Sequence, residues 1–475
     1  MSSNSLPADF ITRMRRLAGD EFALLEVALQ AEAPVSIRVN GGKGVCGTES
    51  GEPVAWCDTG YYLPERLPFT FDPLFHAGAY YVQEASSMFL EQAVRRYVTA
   101  PAVCLDLCAA PGGKAAHLAG LLPEGSLLVC NETVRSRSHI LAENMTKWGN
   151  PNVIVTNNSP EEIGELTGLF DVVLADVPCS GEGMFRKDPD SIAQWSIANV
   201  NLCAARQRRI IRDVWDALKP GGLLVYSTCT YNTEENEDNV RYVAEELGAE
   251  ALPIPAGEAW GITPALKQGY PACRFFPHRS RGEGFFLALL RKREGTVGRA
   301  RFKGNGKREK EKENKEAAAW LSRPADFLVE TRNETVHAIP CAYTETYRLL
   351  SAANLHILSA GIRLCEVKGK DLIPCPALAL STSLNPAAFP VAELTWEEAV
   401  RYLKRETLLL PSGTEKGYVI VAFNGFPLGF VKNLGSRSNN LYPPEWRIRT
   451  SHIPAERRVR LKWQQRGGEP DRRKS

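Results

Sequence analysis

Between Ala102 and Tyr226 the chain repeats one pattern, a short apolar run of strand length followed by a longer amphipathic stretch of helical period. The runs are "AVCLDL", "SLLVCNE", "NVIVT", "FDVVLADV" and "GGLLVYS". Strands buried on both faces read as continuous apolar segments, and strands joined through helices run parallel. The pattern therefore dictates a parallel sheet covered by helices. The stretch Ile192 to Leu218 is expected as a single helix stopped by "KPGG". "CRFFPH" and "GEGFFLALL" are expected as a closing antiparallel pair, giving a sheet of roughly seven strands.

Sheets of this kind bind ligands at the carboxyl ends of their strands, so the residues after each run carry the functional information. The first run leads into Cys108, Ala109, Ala110, Pro111, Gly112, Gly113 and Lys114, a turn small enough for a ligand to approach the backbone closely. It has neither the first glycine and Ser/Thr of a P-loop nor G-x-G-x-x-G, so a cofactor without a diphosphate fits better. The second run ends at Glu132, where a carboxylate can accept hydrogen bonds from both hydroxyls of a ribose. Ribose binding without a diphosphate motif points to S-adenosylmethionine over NAD. The fourth run is followed by Asp176 and Cys179, and the fifth by Cys229. Adjacent strands thus deliver two thiols and a carboxylate into one cleft beside the cofactor turn.

Composition narrows the remaining classes. The 12 cysteines include no C-x-x-C pair and the seven histidines no H-x-x-x-H, so neither a disulfide framework nor a metal site is expected. A formal net charge of +2 is too small to argue for nucleic acid by itself. Met1 to Asp20 carries Asp9, Arg13, Arg15 and Arg16 in place of a secretory apolar core, and no apolar run reaches the roughly 18 residues of a membrane helix. The expectation is a cytoplasmic protein that binds no membrane. From Arg291 a glycine-rich, charged segment reads as a linker. Beyond it come β-rich segments and then a basic end, "ERRVRLKWQQRGGEPDRRKS", either a solvated tail or a phosphate-contacting arm.

"DLCAAPGGKA", "DVPCSGEG" and "STCT", with "SIRVN", "VQEASS" and "FFPHRSRGEGFF", run in an order that resembles the RNA 5-methylcytosine methyltransferase family named for NOL1/NOP2/Sun. The likeness covers Asp9 to Arg293, and "GFPLGFVKN" with "NNLYPPEWR" resembles the bacterial RsmF-like branch, which acts on small-subunit ribosomal RNA. The resemblance implies an α/β fold: a Rossmann-like S-adenosylmethionine-dependent methyltransferase sheet with an N-terminal α/β cap and small β-rich PUA-like C-terminal modules. The expected divisions are an RNA-facing cap region (1–95), a catalytic domain (96–293), a charged linker (294–317), a small α/β domain (318–390), a PUA-like domain (391–457) and a basic tail (458–475).

The resemblance also implies roles. Cys229 is the nucleophile that adds to carbon 6 of cytosine, and Cys179 assists proton removal and release. Asp176 hydrogen-bonds ring nitrogen 3, with Lys114 beside it. The family often has Asp where this chain has Ser159, so Ser159 or Asn158 is expected to meet the adenine. Lys114 and Lys187 are candidates to activate the thiolate, His278 a candidate for closing the site, and Arg38 a part of the RNA-facing wall. The expected partner is ribosomal RNA or the small ribosomal subunit, bound by a monomer. The alternatives are the same chemistry on transfer RNA and a catalytically silent RNA-binding scaffold, which would need none of Cys229, Cys179, Asp176 or Lys114. An amino-directed methyltransferase would need N/D-P-P-Y/F where the chain reads "DVPC".

Overall fold

A computed structural model describes residues 6–293, 295, 314–450 and 452–463. At its centre β1 (Val103–Asp106), β2 (Leu127–Asn131), β3 (Val153–Thr156), β4 (Phe170–Asp176) and β5 (Leu218–Thr228) run parallel in the order β3-β2-β1-β4-β5. The order reverses between β1 and β4, which opens a crevice at their carboxyl ends. Helices α1 (Gly113–Leu121), α2 (Arg135–Trp148), α3 (Pro160–Gly164) and α4 (Ile197–Val214) lie in the crossovers, and α5 (Glu237–Glu245) follows β5. Side chains alternate across the sheet: Cys104, Leu128, Val172 and Val225 enter one apolar layer, and Leu105, Val129, Val173 and Leu224 the other.

The sheet has ten strands where roughly seven were expected. β6 (Ala249–Leu252), β7 (Thr263–Pro264), β8 (Cys273–Phe275) and β9 (Phe285–Lys292) extend it beyond β5, with β8 and β9 as the anticipated antiparallel pair. At the opposite edge β10 (Ile357–Ala360), from beyond the linker, pairs antiparallel with β3. Four residues reading "ILSA" carry no alternation that periodicity could detect. Tyr343, Tyr347, Leu350 and Leu355 around β10 enter the same apolar layer as α4, so the segment after the linker is not a wholly separate unit.

The expected helix over Ile192 to Leu218 is broken and shorter. Ser196 is extended and accepts the Asn199 N–H, capping α4, which ends at Val214. "KPGG" lies inside β5, whose register against β4 shifts between Leu218 and Leu223. Only glycine fits the kink at Gly222, because a Cβ there would stand 2.7 Å from the Leu218 side chain and 2.8 Å from the Lys219 carbonyl oxygen.

The N-terminal part forms a four-stranded sheet around Val35–Val39 and Cys57–Leu63, preceded by helices Ala8–Ala18 and Phe22–Gln30. Two further four-stranded sheets follow the linker. The last of these shares a core with the N-terminal sheet, where Leu74 and Tyr80 meet Tyr402 and Leu428, and Trp396 donates to the Phe71 carbonyl at 3.0 Å. Residues 71–80 and 396–428 are therefore brought against each other. Among the described residues no helix is long and apolar enough to cross a membrane. The expected linker, apart from 295 and 314–317, and the tail from 464 onward lie outside the described residues.

Candidate active site

β4 ends at Asp176 and β5 at Thr228, and the two strands are neighbours, so the turns after them emerge side by side. Cys179 and Cys229, both half-buried, stand with their Sγ atoms 3.0 Å apart. That contact pushes the Cys179 thiol well above the ordinary cysteine range, with burial and the Cys229 and Glu235 charges adding to it. Cys179 is thereby kept protonated. Asp176 accepts from Lys114 Nζ at 2.8 Å and from Ser227 Oγ at 2.7 Å. Burial alone would depress the Lys114 pKa, but the Asp176 carboxylate outweighs it and the ammonium is held above its usual value. The Lys114 ammonium also lies 5.2 Å from the centre of the Phe285 ring.

The turn after β1 is held from behind. Ala109 N–H donates to the Asn131 carbonyl, Arg137 to that of Ala110 and Asn144 to that of Pro111. Gly112 has φ +116°, open to glycine, and a Cβ at Gly113 would press to 3.3 Å from Tyr81. Glu132, just past β2, is buried, accepts the Val134 N–H at 2.9 Å and lies 3.6 Å from Arg137. Both oxygens of Asp106 and Oδ1 of Asn158 are buried without a partner among the described residues. Burial, then the Asp176 charge, raises the Asp106 pKa well above the carboxylate range. Buried polar atoms left unpaired are costly, so these three suit a polar ligand seated on the turn, as an amino acid linked to a nucleoside would be. The turn, Asp106, Glu132 and Asn158 offer the mix of acceptors that S-adenosylmethionine, with its amine, ribose hydroxyls and base amine, calls for, so the residues fit that cofactor.

Several predicted residues have other work. Ser159 caps α3 in a reciprocal box with Glu162, so its hydroxyl is engaged with the backbone, while Asn158 beside it keeps an open acceptor. Arg38 is buried rather than facing RNA; it donates to Gln83, reaches the Gly113 carbonyl at 3.4 Å and stacks 4.5 Å over Trp148. Lys187 pairs with Glu283 at 3.4 Å, and His278 with Glu21 at 3.0 Å. Asp106 escaped the sequence reading, although its place inside the first apolar run, between Leu105 and Leu107, marks it as a buried charge. Glu182 and Glu235 escaped it too. Their partners on the opposite thiol's turn are distant in the chain, and no local pattern announces them. Cys57, Glu91 and His117 bring their ligand atoms within 4.8 Å of one another, a cluster that sequence spacing did not foresee. Glu91 there already accepts from Arg95 at 2.7 Å and from the Asp58 N–H at 3.2 Å, and Arg38 lies close enough to oppose a further cation.

Three family models match the chain: 16S rRNA methyltransferase RsmB/F over residues 99–291, the N-terminal domain of 16S rRNA methyltransferase RsmF over 6–85, and the methyltransferase RsmF PUA domain over 389–448. Ribosomal RNA small subunit methyltransferase F of Aliivibrio fischeri is 35% identical over 416 residues, covering 83% of this chain and 85% of the relative. The protein of that name from Cronobacter sakazakii is 34% identical over 418 residues, covering 83% and 84%. Among solved structures, a methyltransferase homolog from Pyrococcus horikoshii superposes with a TM-score of 0.52 at 30% identity, covering 61% of this chain and 96% of that one. NSun6 from the same organism, solved with SFG, shares the fold at a TM-score of 0.51 and 20% identity, covering 61% and 99%.

Proposed function

The chain belongs to the 16S rRNA methyltransferase RsmB/F family and is an S-adenosylmethionine-dependent methyltransferase of ribosomal RNA, and from that premise we propose that it methylates carbon 5 of a cytosine through a covalent adduct on Cys229. The observation that carries the reading is the pair of thiols 3.0 Å apart beside the Lys114–Asp176 ion pair.

Carbon 5 of cytosine is a weak nucleophile until a group adds at carbon 6. The Cys229 thiolate makes that bond, and the electron pair of the 5,6 double bond moves toward the ring. Asp176 meets ring nitrogen 3, and Lys114 beside it supplies the proton that neutralises the developing charge. Bound S-adenosylmethionine supplies the methyl group as an electrophilic sulfonium. Once Cys229 is bonded to carbon 6, its hydrogen bond with Cys179, the first cause of the raised Cys179 pKa, is lost. Cys179 then loses its proton to solvent and its thiolate accepts the carbon 5 proton as the bond from Cys229 to carbon 6 breaks, which regenerates the Cys229 thiolate, while ring nitrogen 3 returns its proton to Lys114. Glu132 holds the ribose and Asn158 the adenine. No metal ion is needed, because thiolate and sulfonium supply both reactive partners. We read the protein as a cytoplasmic monomer.

The test uses small-subunit ribosomal RNA and labelled cofactor. Cys229→Ala loses 5-methylcytosine formation and keeps RNA binding. Cys179→Ala accumulates a protein–RNA complex that survives denaturing electrophoresis and is missing from the double variant. Label in adenine, or an adduct formed by Cys229→Ala, sinks the reading; label confined to transfer RNA moves the substrate.

A further inference from the structure

The turns that carry the thiols are tied to each other by two buried carboxylates in a reciprocal manner. Glu182, three residues beyond Cys179, is 1% exposed. Its Oε2 accepts from the Tyr231 N–H at 2.7 Å, the Asn232 N–H at 2.9 Å and the Thr230 hydroxyl, all on the turn after Cys229. Its Oε1 accepts from Trp195 Nε1 at 3.0 Å. Glu235, on the Cys229 side, is fully buried and reaches back. It accepts from the Ser180 N–H at 3.0 Å and the Ser180 hydroxyl, next to Cys179, and from Gln207 Nε2 at 2.7 Å, which also holds the Pro178 carbonyl at 3.0 Å. Asn232 Nδ2 donates to Glu235 at 2.7 Å and so links both carboxylates. A backbone bond from Gly183 N–H to the Cys229 carbonyl, 2.8 Å, lies between them.

We propose that Glu182 and Glu235 are positioning residues for the methyl-transfer reaction: each stands on the turn of one thiol and fixes the turn of the other, and together they set the contact between Cys179 and Cys229. Neither touches the reacting atoms in this arrangement. Buried carboxylates that accept several N–H and O–H bonds are stiff anchors, because each bond lost leaves a buried donor unsatisfied. Both thiol turns are irregular backbone following a strand end, where no sheet ladder holds them. Two crossed anchors define the spacing where one would leave a hinge. A carboxamide in either place keeps the volume, offers one acceptor oxygen in place of two, and turns an NH2 group toward a donor.

The inference rests on the two-thiol reading, so its test includes a readout that does not. In the full chain, diamide oxidises two contacting thiols to a disulfide while its azo group takes up both hydrogens. The rate of the Cys179–Cys229 bridge, followed by peptide mass spectrometry, reports their spacing whatever their catalytic role. Glu182→Gln and, separately, Glu235→Gln are expected to slow that bridge about tenfold or more and to lower kcat for methyl transfer about 10²-fold, the scale of an ångström-size misplacement. The KM and the calorimetric affinity for S-adenosylhomocysteine stay within about twofold. Ser180→Ala, which removes one hydroxyl donor and is milder to the fold, gives a smaller slowing in the same direction. Bridge formation at the parent rate in both carboxamide variants overturns the proposal, as does cofactor affinity falling in step with kcat, which would mark a general loss of structure. Absence of an adduct in Cys179→Ala with bridge formation still sensitive to Glu182 would instead overturn the catalytic roles and leave the positioning role standing.

Discussion

On the thiol side of the cleft every carboxylate oxygen of Glu182 and Glu235 accepts a hydrogen bond, some of them two or three. On the cofactor side, both oxygens of Asp106 and Oδ1 of Asn158 accept none among the described residues. The two sides lie at the ends of neighbouring strands of one sheet and are equally buried, so depth alone does not separate them. What differs is where the missing partner comes from. The thiol side is completed by the chain itself, and its geometry exists before any substrate arrives. The cofactor side leaves acceptors that a ligand must satisfy, and ligand binding there is coupled to stability.

The strongest way to press this contrast is at the thiols. Cys229→Ser should lower methyl transfer on the order of 10⁴-fold or more, since a nucleophile is removed, while calorimetric cofactor affinity stays unchanged; loss of affinity would show that the two sides are not separable. Next comes Glu132→Ala, expected to raise the cofactor dissociation constant about tenfold or more through lost charge-assisted hydrogen bonds.

Asp106→Asn sharpens the comparison from the side of pH. The native carboxyl is held protonated by burial, so the unfolded chain releases its proton first as pH rises. Asp106 therefore subtracts stability progressively above about pH 4, the unfolded value, and not below it. Denaturant melts of the cofactor-free protein should show wild type losing ground to Asp106→Asn as pH climbs from 4 to 7. The same variant should bind cofactor more weakly, and a flat difference between the two proteins would mean the carboxyl is ionised in the fold. The smallest effect separates two neighbours. Ser159→Ala should cost about 1 kcal/mol of stability through the lost cap and leave cofactor affinity within about twofold. Asn158→Leu should weaken the cofactor severalfold; equal affinities for the two variants would remove Asn158 from the base site.

The same division decides how much the sequence could reveal. The five parallel strands, the small-residue turn, Glu132, Asp176, Cys179 and Cys229 all sit at or just after apolar runs, where a strand end is local information. Lys114 follows because it opens α1 beside that turn. Glu182 and Glu235 lie in polar stretches, and the bonds each makes to the other thiol's turn span 48 to 50 and 55 residues, so only the paired turns show what they hold. Ser159 carries a readable capping signal, Ser-Pro-Glu-Glu, whose acid three residues on commits the hydroxyl to the helix start. Arg38 reads as a surface residue by type, and its burial depends on Trp148 and Gln83 from distant segments.

The strand that closes the far edge of the sheet has a consequence for any attempt to divide the enzyme. β10 joins the chain beyond the linker, yet it supplies the neighbour of β3, whose residues Val153, Ile154 and Val155 are all buried. A fragment that stops at Arg293 contains every residue assigned to chemistry here and loses that neighbour. Its β3 would present a row of bare N–H and C=O groups flanked by valine and isoleucine, an invitation for copies to add to one another edge to edge. The cover on that edge of the catalytic sheet is thus lent by the part of the chain beyond the linker.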